Sequence, residues 1–312
     1  MTECERIVNS GLIDSKFLLE EVRCDYVIKQ DMKKSWAIMI DLLKELDRVC
    51  KEHDLKYFLI FGTLLGAVRH KGFIPWDDDV DVVMPRESYE KLKELKSEFK
   101  EPYFLQFPLQ DDGFYYTSAR LRNGNTSAMD YPFLYQDFNM GIFIDINVLD
   151  NYDVSLGSSQ FDRVSELIVR NSTHMKKNHR FLSERDQKRV NSICDETPEE
   201  IFAEIELLQK RDNDKKCEMV WISSCVTYGF QRNVFFKEDF ESSMHMEFEG
   251  LSFQVPIGYR RILTTIYGDY SKLPPIEKRG VWHHNLRLNP DISYKESLMS
   301  IFPNGKEGNI IW

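Results

Sequence analysis

Five residues concentrate the acid most able to do chemistry: Asp77-Asp78-Asp79-Val80-Asp81 carries four carboxylates, and a fifth, Asp145, interrupts the apolar run Ile142-Phe143-Ile144 before Ile146. On a strand, residues two apart point to one face. Read as part of a strand from Asp77 to Met84, Asp79 and Asp81 project together, about 6.6 Å apart along the chain, while Val80 and Val82 turn to the core. Such a pair can share one Mg²⁺, which favours one or two carboxylates plus substrate phosphates. An acid inside an apolar strand is costly unless paired or metal-bound, so Asp145 joins the candidates. Gly62-Thr63, between an apolar run and a helix start, can offer backbone N–H groups to a phosphate. Arg69, His70 and Lys71 lie between the two motifs, in reach of a diphosphate.

Other uses of two acids one residue apart fit less well. An EF-hand loop starting at Asp77 needs Gly at its sixth position and Glu at its twelfth, where this chain has Val82 and Ser88. A sugar-nucleotide glycosyltransferase would place several strand–helix units before the motif, and only one strand and one short helix precede it here.

The elements that must position these groups are legible from hydrophobic spacing. Residues 1–30 read as a short helical lead-in. Trp36, Met39, Ile40, Leu43, Leu46 and Val49 recur at helical spacing, predicting a long amphipathic helix from Met32 to Leu55. Tyr57–Phe61 reads as a buried strand, Leu64–Arg69 as a short helix, and Pro85–Lys100 as a helix with proline at its start. Tyr103–Phe107, Tyr115–Arg122 and Gly141–Ile146 read as strands, with a turn at Asn123-Gly124. Residues 155–210 are polar and helical. Met244–Phe248 and Leu251–Val255 read as a hairpin, Pro256–Tyr267 as a helix ended by Gly268, and the tail from Leu273 as loop-rich.

Composition narrows the class. The 312 residues carry a net charge of −10, which excludes the sequence-independent phosphate grip of a nucleic-acid binder. Hydrophobic content of 42% and aromatic content of 13% suit a folded soluble chain. No apolar run approaches the ~18 residues of a membrane span, and the N-terminus lacks a signal-peptide pattern, so a cytoplasmic location is expected. Cys4, Cys24, Cys50, Cys194, Cys217 and Cys225 are scattered without a C-x-x-C pair and are expected as reduced structural thiols.

The stretch Phe61-Gly62-Thr63-Leu64-Leu65-Gly66-Ala67-Val68-Arg69-His70-Lys71-Gly72-Phe73-Ile74-Pro75-Trp76-Asp77-Asp78-Asp79-Val80-Asp81 resembles the signature of the LicD family, which includes bacterial phosphocholine transferases and has the fukutin-related proteins as distant relatives. Arg120–Thr126 resembles a basic strand of that family. Gly141–Asp150 resembles its third-acid strand, with Asn147-Val148 where Phe-Pro is more usual, and Tyr267–Pro275 its C-terminal element. The resemblance spans about Trp36 to Arg279 with gaps; residues 155–210 have no counterpart in it.

The resemblance implies an α+β fold: a polymerase-beta-like nucleotidyltransferase core, a small mixed sheet flanked by helices, with an additional helical subdomain. The division expected is a lead-in at 1–30, catalytic core at 31–154, helical subdomain at 155–215 and a C-terminal part at 216–312 completing the catalytic domain. It also implies transfer of a phospho-alcohol, phosphocholine from CDP-choline first, to a hydroxyl of a capsule, lipopolysaccharide or teichoic-acid glycan, releasing CMP. Asp79, Asp81 and Asp145 would hold Mg²⁺ or Mn²⁺ and serve catalysis, Asp145 as ligand, general base or both. Gly62, Thr63, Arg69, Lys71, Arg120 and Arg122 would bind the donor. The partners implied are a CDP-linked alcohol and a glycan acceptor, with peripheral association at the inner membrane face if the acceptor is lipid-linked. CDP-glycerol, CDP-ribitol or CDP-ethanolamine as donor, an NTP-dependent nucleotidyltransferase, and a catalytically dead scaffold stand as alternatives.

Several residues carry two readings. Trp76 packs to fix the acidic loop, or stacks on a base or choline. Asp77 and Asp78 support the metal ligands or form a solvated strand entry. Tyr115-Tyr116 with Tyr131 to Tyr135 form a sheet face or a cage for a quaternary ammonium. His283 and His284 are loop histidines or acceptor contacts, and Lys278-Arg279 a solvated pair or a phosphate contact.

Overall fold

The computed structural model describes residues 1–110, 113–175, 184–191, 196–280, 283 and 286–306. Cys194 and His284 lie outside the described residues. The architecture is α+β. In chain order the elements around the site are α1 (Gln30–Glu52), β1 (Phe58–Leu59), α2 (Phe61–His70), β2 (Asp81–Pro85), α3 (Arg86–Glu94), β3 (Tyr103–Gln106), β4 (Ala119–Asn123), β5 (Ile142–Tyr152), α4 (Ser159–Met175), α5 (Pro198–Lys210), β6 (Met219–Ile222), β7 (Val234–Phe236) and α6 (Tyr259–Tyr267).

Among the described residues, the seven strands form one mixed sheet organised around β5, an 11-residue strand. Ile146 pairs with Val82 of β2 on one edge and with Ala119 of β4 on the other. Further along, Leu149 pairs with Pro85 of β2 and Ile222 of β6. One edge of β5 therefore carries β2, in parallel, and the other carries β4 and then β6, both antiparallel. β1 extends the sheet beyond β2, β3 beyond β4, and β7 beyond β6.

The faces of this sheet are set by alternation. Val80, Val82, Ile144 and Ile146 are fully buried, and α1 packs against β4 and β5 with its predicted stripe, Trp36 to Val49, turned inward. Each buried aliphatic side chain contributes about 1.5–3 kcal/mol. A one-residue slip would send Asp81 and Asp145 toward the core, so the valine and isoleucine positions dictate where the acids stand.

Several elements differ from the expected spans. The acidic strand begins at Asp81 rather than Asp77; residues 77–80 are a loop, begun by a turn in which the Asp77 N–H donates to the Ile74 carbonyl. The Tyr57–Phe61 run shortens to Phe58–Leu59 because α2 already starts at Phe61. The strand expected from Tyr115 starts at Ala119, and β5 runs on to Tyr152. Residues 1–30 add a small hairpin, Glu21–Arg23 with Tyr26–Ile28, to the lead-in helix Glu3–Asn9. The tail contains a strand, Leu286–Asn289, paired with Ser127–Asp130, and a helix, Tyr294–Ile301.

The lead-in buries Cys4, Ile7, Ile13 and Ile28 in the main core, as do the hairpin Ser243–Phe248/Leu251–Pro256 and α6 with Phe248, Phe253, Ile262 and Ile266. α4 and α5 form a separate cluster with Tyr152 and Trp221 at the ends of β5 and β6. The described cysteines Cys4, Cys24, Cys50, Cys217 and Cys225 are free thiols. Among the described residues no helix is long and apolar enough to cross a membrane.

Candidate active site

The parallel pairing of β2 and β5 sets Asp81 directly opposite Asp145, and the antiparallel pairing of β5 and β4 sets Asp145 opposite Arg120. Three charged residues thus stand in a row across three strands on one face. Asn147, two residues beyond Asp145 and so on the same face, donates its amide to Asp81 Oδ1 at 3.0 Å. Asp145 Oδ1 accepts from Ser118 Oγ and from Arg120 Nε, each at 2.9 Å. Arg120 is held between the Tyr116 and Phe143 rings, 4.0 and 3.9 Å from their centroids.

The loop before β2 brings in the remaining acids. Asp77, Asp78 and Asp79 each offer a carboxylate oxygen, all within 4.8 Å of one another. Trp36 of α1 donates its indole N–H to the Asp77 carbonyl at 3.0 Å and stacks on Phe73, with centroids 4.4 Å apart, so the long helix pins the loop. Gly62 has no Cβ because there is no room for one: a Cβ there would lie 2.5 Å from Asp77 Oδ2. The loop is also closed from afar. His283 Nδ1 lies 2.9 Å from Asp78 Oδ1, and its Nε2 lies 4.0 Å from Asp79 Oδ2.

This crowding governs protonation. Burial, reinforced by Asp79, Asp78 and Asp81, pushes the Asp77 carboxyl well above its ordinary range, and Asp77 is hydrogen-bonded to Asp79. Burial, Asp79 and Asp145 do the same to Asp81. Asp79 rises to about 6, chiefly through burial, with His283 partly offsetting the rise. His283 rises to about 9: burial opposes the charge, but the Asp78 contact and the Asp79 carboxylate outweigh it. Like charges packed this closely call for a cation, and an all-oxygen carboxylate set matches Mg²⁺ or Mn²⁺. The donor set therefore fits such an ion, with the tightest convergence at Asp77, Asp78 and Asp79 and with Asp81 adjoining.

Asp77, Asp79, Asp81 and Asp145 line a cleft of about 730 Å³ together with Gly62, Arg69, Trp76, Ser118, Arg120, Asn147 and His283, while Asp78 is buried outside its lining. Of the residues singled out from the sequence, the structure gathers Asp79, Asp81, Asp145, Gly62, Arg69 and Arg120 here. Arg69 donates to the backbone carbonyls of Tyr270 at 2.9 Å and Lys272 at 3.1 Å.

Three expected donor-binding residues stand elsewhere. Thr63 is buried behind the cleft, and its hydroxyl accepts the Asp81 N–H at 2.8 Å; it holds the acidic strand rather than facing a phosphate. Lys71 ends α2 in a left-handed conformation, φ +57°, with its exposed amine 3.7 Å from Glu247. Arg122 is 1% exposed. It donates to Gln106 Oε1 at 2.6 Å and the Gly141 carbonyl at 2.8 Å, under Phe143, Phe138 and Phe114.

The tyrosine cage also falls away. Tyr115, Tyr116, Tyr131 and Tyr135 pack on a small core of Phe114, Phe133, Leu134, Phe138 and Phe302, because that segment has its own apolar surface to bury. Trp76 is 7% exposed and packs edge-on to Tyr26 and beneath Arg279. Residues unforeseen as parts of the site are Asn147 and Ser118, both findable from their position beside Asp145 and Arg120. The His283–Asp78 contact, 205 residues apart in sequence, left no local signal.

Comparison with known proteins agrees with this geometry. Residues 54–150 match the family described as LicD/FKTN/FKRP, nucleotidyltransferase domain. The chain is 29% identical over 261 residues to the lipopolysaccharide cholinephosphotransferase LicD of Haemophilus influenzae, covering 82% of this chain and 97% of that protein. An uncharacterized protein of Rickettsia prowazekii is 24% identical over 153 residues, 47% of this chain and 54% of its own. The Mannosyltransferase regulator 4 of Saccharomyces cerevisiae is 26% identical over 125 residues, 38% of this chain and 10% of its own. The matched segment contains Gly62, the acidic loop, β2 and the part of β5 that carries Asp145, so over residues 54–150 the chain carries a nucleotidyltransferase domain of the LicD type.

Proposed function

We propose that the protein transfers phosphocholine from CDP-choline to a hydroxyl of a lipopolysaccharide-type glycan, releasing CMP, with Mg²⁺ or Mn²⁺ as cofactor. The observation that carries the reading is the convergence of Asp77, Asp78 and Asp79 beside the paired Asp81 and Asp145, with Asp77, Asp79, Asp81, Asp145 and Arg120 lining one cleft. The name of the H. influenzae relative, a lipopolysaccharide cholinephosphotransferase aligned over 97% of its length, supports the choice of transferred group and acceptor.

The reaction asks for positioning and charge neutralisation more than for covalent help. Asp77, Asp78, Asp79 and Asp81 would hold the metal, which when bound lowers the repulsion among them and stabilises the charge growing on the leaving CMP. Gly62, bare of a side chain, leaves the Asp77 carboxylate its place at the cleft wall. Arg69 adds positive charge at the other side of the cleft. Asp145, kept in place by Arg120 and Ser118, stands beside the row of acids as the carboxylate that takes the acceptor's proton. The acceptor oxygen forms the new P–O bond, the P–O bond to CMP breaks with the electron pair leaving on CMP, and the hydroxyl proton passes to Asp145.

The test is a donor panel. Purified protein, Mg²⁺ and a lipopolysaccharide acceptor are incubated with CDP-choline, CDP-ethanolamine, CDP-glycerol, CDP-ribitol or an NTP, and nucleotide products are followed by chromatography. CMP from CDP-choline is the expected result. Pyrophosphate from the NTP without CMP from any CDP-alcohol would replace the reading with nucleotidyl transfer.

A further inference from the structure

Away from the carboxylates the cleft wall turns aromatic. Phe61 opens α2 with φ +48°, a conformation that costs a bulky residue about 1–3 kcal/mol. Its buried ring packs against Tyr228, with centroids 5.0 Å apart and planes tilted by 32°. Tyr228 meets Tyr267, the last residue of α6, at 5.9 Å and 81°. The two phenol oxygens are 3.3 Å apart, within hydrogen-bond reach of each other. Three rings from three separate parts of the chain thus form one corner, and Tyr228 and Tyr267 are only half-buried. The neighbouring Arg69 guanidinium is engaged by the Tyr270 and Lys272 carbonyls. Both tyrosines line the same cleft as Asp81.

The shape discriminates between occupants. A pyrimidine base is flat and wants a parallel ring face together with polar groups for its edge. A pair of rings at 81° offers no slot for a plate, and its hydroxyls are turned to each other. It suits a compact sphere with diffuse positive charge and no hydrogen-bond donor, which is the description of a trimethylammonium group, attracted to ring faces by their quadrupole. We infer that Tyr228 and Tyr267, with Phe61 packed against Tyr228, form the subsite that receives the quaternary ammonium of the donor and so select choline over uncharged alcohols. This inference rests on the phosphocholine reading of the same cleft.

The experiment measures kcat/KM for CDP-choline and CDP-glycerol in wild type, Tyr228→Leu, Tyr267→Leu, and the ring-preserving Tyr228→Phe and Tyr267→Phe, each checked for folding by its unfolding midpoint. The choline-to-glycerol ratio falls about tenfold in the Leu variants, mainly through KM for CDP-choline, and the Phe variants keep the wild-type ratio. Tetramethylammonium competes with CDP-choline in wild type and loses potency in the Leu variants. If the Leu variants do not fold, the wild-type competition decides, and its absence overturns the inference. CDP-choline turnover with a ratio that folded Leu variants leave unmoved overturns the subsite alone. Absence of CMP from every CDP-alcohol overturns the phosphotransfer reading and this inference with it.

Discussion

Replacing Gly62 by Ala separates the site from the fold. The backbone at Gly62 is not in the left-handed region, and alanine favours a helix over glycine by up to about 1 kcal/mol, so α2 itself gains. The added Cβ, however, would lie 2.5 Å from Asp77 Oδ2. Ordinary contact requires the carboxylate oxygen to retreat by roughly 0.9–1.5 Å, and the oxygen is the far end of a side chain that can turn. Asp77 is hydrogen-bonded to Asp79, so the displacement passes into the convergence of Asp77, Asp78 and Asp79. Metal–oxygen distances tolerate about 0.2 Å, and a misplacement near 1 Å costs on the order of 100-fold in rate. Gly62→Ala is therefore expected to weaken Mn²⁺ binding by about 10- to 100-fold and to lower CMP release similarly, with the unfolding midpoint within a few degrees of wild type. Calorimetric Mn²⁺ titration, a CMP assay and thermal melts read the three quantities. Wild-type Mn²⁺ affinity and wild-type turnover in a folded Gly62→Ala protein would refute the reasoning.

Further outcomes follow from single contacts. Thr63→Val leaves the Asp81 N–H without its acceptor and is expected to cost about 1–3 kcal/mol in urea unfolding, with lost activity, while Thr63→Ser restores both. Arg122→Met removes donors from Gln106 and Gly141 outside the cleft lining, so stability falls by about 1–3 kcal/mol and KM for the donor stays at its wild-type value; a raised KM would return Arg122 to the donor site. Asp77, Asp79 and Asp81 have folded-state values raised above the ordinary 3.8. Their contribution to metal-free stability is complete below that value and is lost as pH rises, for Asp79 through about 6. His283, raised from 6.5 to about 9, contributes stability that is complete below 6.5 and is lost toward 9. Thermal melts in EDTA and in Mg²⁺ should therefore diverge as pH rises from about 5 to about 8, and parallel curves would contradict the charge account.

Much of the site was legible because its chemistry is local. The spacing against Val80 and Val82 singled out Asp79 and Asp81, and the apolar run around Asp145 singled out that acid; the strand pairing then sets Asp145 opposite Asp81. What escaped depends on tertiary packing. Asp79 belongs to a loop because Trp36 and the Ile74 turn hold the chain at Asp77, and sheet bonding resumes only at Val80, whose carbonyl accepts the Asp145 N–H. Arg122 shares the strand alternation of Arg120 and yet is buried, since the aromatic segment 114–138 folds over it. Thr63 could serve a phosphate or a backbone N–H with the same hydroxyl, and the nearness of Asp81 decided it. The aromatic corner draws on residues 61, 228 and 267, and His283 reaches back to Asp78; no window along the chain contains either.

The proposed transfer at the acidic cluster depends on a divalent metal. Its most direct test is phosphocholine incorporation into lipopolysaccharide from CDP-choline, followed by mass spectrometry alongside CMP release, for wild type and Asp79→Asn with Mg²⁺ and with EDTA. Incorporation matched by CMP is expected in the wild type with Mg²⁺, loss of both in EDTA with recovery on adding Mg²⁺, and loss of both in Asp79→Asn. Undiminished incorporation in EDTA, or in a folded Asp79→Asn protein, would contradict it.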